Sequence, residues 1–224
     1  ISMNHFKGHE MTGFGGALKN IGMGSGSRGG KLFMHSGSKP KINTQNCVGC
    51  GICVRSCAHG AISLNSSKKA VIDYNLCVGC GQCIAVCQYN AAQVSDYDSA
   101  ANACEKISEY AYAVLKDKQH FHINFVMDVS PDCDCWGNND IPVAPNIGIL
   151  ASFDPVAIDK ASVDLVNSSA YIPKGSKLEK VKIVYTDGKP DIFRSIHPDA
   201  DWRVGLYHAA KIGVGSLEYE LIEV

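Results

Sequence analysis

Apolar positions along the second half of the chain fall into two alternating rhythms. From Tyr97 onward, Tyr97, Ala101, Cys104, Ile107, Ala111, Val114 and Leu115 recur at helical intervals, with Ser95 or Asp96 as the N-cap. That pattern predicts a helix with Cys104 on its buried stripe, a core cysteine rather than a ligand. "HINFVMDVS" then reads as a buried strand with His120 and His122 beside it as structural residues, and "IGILAS" reads as another buried strand. "DPVAIDKASVDLVN" reads as a helix capped by Asp154 with Pro155 at its first position. "KLEKVKIVYTDG" predicts a strand and turn, "DADWRVGLYHAAKIG" a helix closed by Gly213, and "LEYELIEV" a terminal strand. Strands alternating with helices point to an α/β layer domain.

The first forty residues lack such rhythm. Nine of the chain's 22 glycines lie between Gly13 and Gly37. A short helix through Ala17–Ile21 followed by a glycine-rich loop is the expectation. Gly24, Gly26 and Gly29 match G-x-G-x-x-G formally, but a dinucleotide fingerprint must follow a strand and open a helix, and here it follows a helix. Leu32 after Lys31 also breaks any phosphate-binding G-K-[ST] motif. An anion held by loop amides with Lys19, Arg28 and Lys31 stays open.

Between these regions one phrase is written twice. "NCVGCGICVRSCAHG" places Cys47, Cys50, Cys53 and Cys57 within eleven positions, and "LCVGCGQCIAVCQYN" repeats them thirty residues later as Cys77, Cys80, Cys83 and Cys87. Each run is C-x2-C-x2-C-x3-C, the spacing of bacterial-type iron–sulfur ligation, in which the fourth cysteine serves the other cluster. The expected sets are therefore Cys47, Cys50, Cys53 and Cys87 for one [4Fe–4S] cluster, and Cys77, Cys80, Cys83 and Cys57 for the second. Gly49, Gly51, Gly79 and Gly81 relax the loops between thiols. Structural zinc sites split two C-x2-C pairs across a longer spacer, so zinc and disulfides are the weaker readings. Ala58 and Gln88 stand where the pattern carries proline, which affects only the local turn. Two short strands, Ala61–Leu64 and Ala70–Asp73, joined by a turn at Asn65–Ser67, are expected between the runs, and "AAQVSDYD" supplies a matching strand after the second.

The 224 residues carry a formal net charge of −1 without a long basic run, which recommends neither nucleic acid nor an anionic membrane as partner. No apolar run approaches the roughly 20 residues of a membrane span. Eight of eleven cysteines in two tight runs suit metal ligation in a reducing compartment, so a cytoplasmic location is expected. The opening "IS" reads as a strand already under way, which implies further sequence before Ile1.

"NHFKGHEMTGFGGALKNIGMG", the paired cysteine runs, "SPDCDCW", "IGILASFDPVAIDKASVDLV" and "HPDADWRVGLYHAAKIGVGS" together resemble the iron–sulfur branch of domain-of-unknown-function family 362. The resemblance spans essentially the whole chain. It implies a ferredoxin-like two-cluster module set into a larger α/β domain, iron–sulfur binding, and a further N-terminal region or subunit; it implies no reaction. The expected fold is thus α+β or α/β: residues 1–41 are the glycine-rich part of the α/β domain, 42–95 the two-cluster module, and 96–224 the remainder.

A second candidate site lies in "DVSPDCDCWGNND". Cys133 and Cys135 are flanked by Asp128, Asp132, Asp134 and Trp136. Three readings stay open: loop cysteines with no role beyond packing, a soft-metal or substrate site completed by His5, His9 or His35, and a redox dithiol. His5 and His9 have helical i, i+4 spacing, but Lys7 and Gly8 between them weaken a helix. His59 beside Cys57 is expected to tune a cluster or to face solvent. The leading functional expectation is electron transfer between redox protein partners. The alternatives are an oxidoreductase whose clusters feed a pocket of the glycine-rich segment and Cys133/Cys135, and a structural iron–sulfur subunit.

Overall fold

The computed structural model describes residues 1–35, 39–93, 100–134 and 139–224. It is a mixed α+β chain that separates into two compact units, one formed by residues 1–25 with 104–224 and the other by residues 26–103.

In the first unit, strands β1 (Ser2–His5), β8 (His122–Val126) and β9 (Gly148–Ser152) form a sheet in the order β1-β8-β9. β1 runs parallel to β8, with Asn4 opposite Asn124, and β8 pairs antiparallel with β9. β8 alternates buried and half-buried positions, as expected for a strand with one covered face. Helices α1 (Ala17–Ser25) and α6 (Pro155–Ser168) pack against this sheet. The hairpin β2 (Lys7–His9) to β3 (Gly13–Gly15) lies between β1 and α1 in the chain. The core joins Phe6, Phe14, Val126, Val156, Phe193 and Trp202, with the Phe6 and Phe14 rings 4.8 Å apart. His122 is buried, hydrogen-bonded to Ser2 at 2.8 Å and to His120 at 2.8 Å, in the structural role expected of it.

Several expectations hold closely. α6 begins at Pro155, and the Asp154 carboxylate accepts from the amides of Val156 and Ala157. α7 (Ile192–Ile196) is capped by Asp191 and α8 (Trp202–Lys211) by Asp201, and Gly213 follows α8 with φ 81°. β10 (Val184–Thr186) turns through Asp187 and Gly188, both at positive φ, into β11 (Lys189–Asp191). Helix α5 spans Ala100–Leu115 with Cys104 buried, while the expected caps Ser95 and Asp96, and Tyr97, lie outside the described residues.

Others need correction. Residues 24–30 are not a glycine loop: α1 continues to Ser25 and α2 (Arg28–His35) starts three residues later. Ser27 caps it, accepting from the Gly30 amide at 3.0 Å, so Gly29 and Gly30 fall in a first turn. β9 is not a buried strand. It is the sheet edge, and Ile149 and Ala151 are exposed. "LEYELIEV" forms no strand, because side chains rather than a ladder hold the tail: Asp154 accepts from the Ser216 amide at 2.7 Å, and the Tyr219 hydroxyl donates to Asp164 at 2.8 Å.

The second unit is built on the cysteine repeat. β4 (Lys41–Ile42) pairs antiparallel with β7 (Ala92–Gln93), and β5 (Ile62–Leu64) pairs antiparallel with β6 (Ala70–Ile72). Helices α3 (Ile52–Ser56) and α4 (Gln82–Val86) pack on each other. The strand pair expected between the runs is present to within a residue at each end. Beyond Gln93, the strand expected in "AAQVSDYD" passes outside the described residues.

Candidate metal centres and the Cys133 loop

The two halves of the second unit repeat in backbone detail as well as in sequence. Gly51 and Gly81 precede α3 and α4 with φ 71° and 70°, a left-handed conformation that a Cβ would strain. Cys57 and Cys87 end those helices with φ −80° and −79°. Asn43 and Asp73 open equivalent turns, each carbonyl accepting from the amide of the first cysteine of its run, at 3.2 Å for Cys47 and 3.0 Å for Cys77. The last cysteine of each run accepts an amide four residues on: Ala61 N to Cys57 Sγ and Ala91 N to Cys87 Sγ, both 3.3 Å. Ala70 N adds a bond to Cys47 Sγ at 3.4 Å. A sulfur that accepts amide hydrogen bonds is stabilised in its charged form, and a bound cluster's potential rises accordingly. At Cys87 this is visible: burial pushes the thiol up, but the amides of Ala92, Ala91 and Tyr89 outweigh it and hold it below the ordinary thiol value. Cys83 lies deeper, and burial pushes its thiol up to about 12.

Two cavities divide the eight sulfurs. One is lined by Cys47, Cys50, Cys53 and Cys87, with walls that include Ile42, Leu64, Ala91 and Ala92. The other is lined by Cys57, Cys77, Cys80 and Cys83, with Ile62, Val78 and His59 among its walls. Each therefore takes three cysteines from one run and the fourth from the other. Gly49 carries no Cβ because one would stand 2.2 Å from the Lys68 carbonyl oxygen, which keeps the first loop pressed onto the β5–β6 turn. All eight cysteines are free thiols. Among the described residues, no three His, Cys, Asp or Glu side chains gather closely enough to hold a single metal ion. Four soft donors spread round an apolar-walled cavity fit a polynuclear iron–sulfur group in type and number.

In the first unit, side chains from several elements anchor the described part of the loop after β8. His5 Nδ1 bonds the Asp134 carboxylate at 3.0 Å and His5 Nε2 faces the Met127 carbonyl at 3.0 Å. Lys177 holds Asp132 at 2.8 Å, and His197 Nε2 donates to the Pro131 carbonyl at 2.8 Å. Gly8 admits the loop because a Cβ there would lie 1.9 Å from the Pro131 oxygen. Lys7 is buried and donates to the His5 carbonyl at 2.9 Å and to Asn20 at 3.1 Å, with Asp134 at 3.5 Å. Burial holds Lys7 below the usual lysine range against the opposing pull of Asp134. Burial likewise pushes Asp134 up, but the His5 hydrogen bond and the Lys7 charge prevail and hold it below the usual carboxylate value. At the buried Cys133 sulfur stands Lys19 Nζ, 3.3 Å away.

His5 and His9 thus sit on strands β1 and β2 rather than on one helix. Both ring nitrogens of His5 face acceptors, so a metal there would displace one of these bonds. His9 Nδ1 accepts from the amides of Met11 and Thr12, at 3.1 and 3.2 Å, and so closes the hairpin turn. His35 ends helix α2 in the second unit, and Cys135 and Trp136 lie outside the described residues. Sequence reasoning missed Lys7 and read Lys19 only as a cation for some anion. The contacts of Lys7 with Asp134 and of Lys19 with Cys133 join positions more than a hundred residues apart, and no local spacing announces them.

No curated protein and no solved structure gives a match to this chain. The family described as a domain of unknown function, DUF362, matches residues 1–164, and these include both cysteine runs and the Cys133 loop. The chain belongs to the DUF362 family.

Proposed function

We propose that this chain is an iron–sulfur electron-transfer protein of the iron–sulfur branch of its family, with two [4Fe–4S] clusters in a ferredoxin-like module. The observation that carries the reading is the division of eight free thiols into two cavities, each drawing its fourth cysteine from the other run. Cys47, Cys50, Cys53 and Cys87 would hold one cluster, and Cys77, Cys80, Cys83 and Cys57 the other. When bound, each cluster supplies a one-electron couple. The chain's own work is to exclude water with Ile42, Ile62, Ala91 and Ala92, and to set the charge balance at the sulfurs through the Ala61, Ala70 and Ala91 amides. Redox proteins are the partners of such a carrier, and a reducing, cytoplasmic setting suits its thiols.

Anaerobically purified protein is expected to contain about eight irons and about eight acid-labile sulfides per chain. Neither iron nor sulfide, or zinc in their place, would sink the reading.

A second reading, an oxidoreductase with a reactive site at Cys133, is favoured by one contact, the Lys19 ammonium at 3.3 Å from the Cys133 sulfur. A neighbouring cation favours thiolate, the form that binds metal or attacks an electrophile. Cys133→Ser tests it in the same assay. Metal in excess of the two clusters that disappears with the sulfur supports a second site, whereas unchanged metal and redox turnover dismiss it.

A further inference from the structure

Thiols aside, the side chains of the cysteine-rich segment carry a charge opposite in sign to that of the rest of the chain; two clusters held by eight thiolates would offset it, so the placement of the cations decides what the surface favours. Between residues 39 and 93 the cations are Lys39, Lys41, Arg55, Lys68 and Lys69, against Asp73 as the sole acid and no glutamate. The whole chain is net −1, so the remainder is acidic.

Within this segment the cations are not spread evenly. Lys69 Nζ donates to the Cys47 carbonyl, and Arg55 reaches the Cys50 carbonyl at 3.5 Å. The Lys68 carbonyl abuts Gly49. Two of the five thus reach the loop that carries Cys47 and Cys50 with their charged groups, and the backbone of a third, Lys68, abuts it. Arg55 and Lys68 are exposed, and so is Cys50, the one exposed cysteine among the ten described. Beside them Val48 is 58% exposed, and Tyr89, from the wall of the same cavity, is 47% exposed. The surface nearest to the first set of thiols is therefore an apolar spot flanked by two exposed cations, Arg55 and Lys68.

We infer that this surface is the docking face for an acidic redox protein, and that electrons cross at the cavity of Cys47, Cys50, Cys53 and Cys87. The inference rests on the two-cluster reading and adds the partner's chemistry and the point of contact. Such flanking charge steers an oppositely charged carrier to the face, while a small apolar centre lets the encounter settle without a tight complex. Weak, short-lived contact is what electron carriers use. The chemistry required of the partner is a carboxylate-rich rim around its own redox centre.

The test uses the anaerobic protein after iron and sulfide have been counted, so that failure of the two-cluster reading is recorded separately. An acidic plant-type [2Fe–2S] ferredoxin serves as probe, and basic cytochrome c as the control. Calorimetric titration with the ferredoxin at low salt reports docking without electron flow. Stopped-flow mixing with the photoreduced ferredoxin reports the rate of transfer. Binding at low salt is expected, together with a rate that falls about tenfold or more as ionic strength rises from low to high. The double variant Arg55→Glu/Lys68→Glu is expected to retain its iron and its visible absorption while losing both the binding and the salt dependence. The inference is overturned if, with clusters intact, the rate is flat or rises with salt, or if the double variant behaves as the parent. Tighter calorimetric binding of cytochrome c than of the ferredoxin would also overturn it. So would a face that binds duplex DNA or anionic vesicles and ignores the acidic carrier.

Discussion

Cys87→Ala is expected to empty the cavity of the first cysteine run, and Cys57→Ala that of the second. Each variant should retain about four of the eight irons. Cys87 follows Cys77, Cys80 and Cys83 in the chain by only a few residues, yet it lines the cavity of Cys47, Cys50 and Cys53. Cys57 crosses in the other direction. The two helices that carry these residues pack on each other, and each ends in an extended residue that turns its sulfur away from its own loop. Iron content alone does not tell crossed from uncrossed ligation, because either arrangement loses one cluster. Alkylation does. In anaerobic Cys87→Ala, peptide mapping after iodoacetamide should find Cys47, Cys50 and Cys53 modified and Cys77, Cys80 and Cys83 protected. The reverse pattern would show each run closing on itself, and the proposed ligand sets would be wrong. The loss should also loosen the unit, since Cys47 and Cys83 belong to its small core together with Ile62, Ile72 and Ala92. A core so small leans on whatever fills its cavities.

Elements whose signal is local were legible in the sequence. The strand pair between the cysteine runs, the Asp154–Pro155 start of α6, the Asp201 cap of α8 and the Asp187–Gly188 hairpin are each decided within a few residues. Elements decided by distant partners were not. The glycine-rich stretch reads as a loop by composition, yet it is helical because Ser27 caps α2 and because α1 packs on α6. The C-terminal octet has the residues of a strand, but Asp154 and Asp164 already hold its backbone and its tyrosine elsewhere. At the candidate site, His5 and His9 drew attention as a spaced pair, while the contact to the Cys133 sulfur comes from Lys19, which read only as a loop cation. Sequence position gives no hint that Lys7, Lys19 and Cys133 meet, since β1 and β8 must pair before the loop after β8 can reach α1.

Asp159 is where the first unit is most exposed to a single change. Its side chain is fully buried on α6, and its two oxygens accept from Ala17 N at 2.7 Å, Leu18 N at 2.9 Å and Asn124 Nδ2 at 2.9 Å. Those amides open α1, so a carboxylate on one helix caps another, with the favourable end of the helix dipole toward its charge. Gly16 lets the chain pass, since a Cβ there would stand 2.2 Å from Asp159 Oδ1. Asp159→Ala would strand the two helix amides, while Asn124 would keep its bond to Ser162 Oγ at 3.0 Å. The expected loss is on the order of 3 kcal/mol, read as a melting temperature lower by about 10 °C. Asp159→Asn separates the charge from the hydrogen bonds. Burial pushes the Asp159 carboxyl up to about 6 from an ordinary 3.8, against the pull of its three donors. The folded state therefore holds a proton that the unfolded chain releases. Between roughly pH 4 and 6 this group's contribution becomes less favourable as pH rises, by about 3 kcal/mol in total, and it is constant outside that window. The asparagine variant should lose the slope while keeping two of the three acceptor bonds, so its stability relative to the parent should improve steadily from pH 4 to pH 6. Denaturant midpoints at several pH values check this. A difference between parent and variant that does not change with pH would mean that Asp159 is ionised throughout, and that its amide partners overcome the cost of burial.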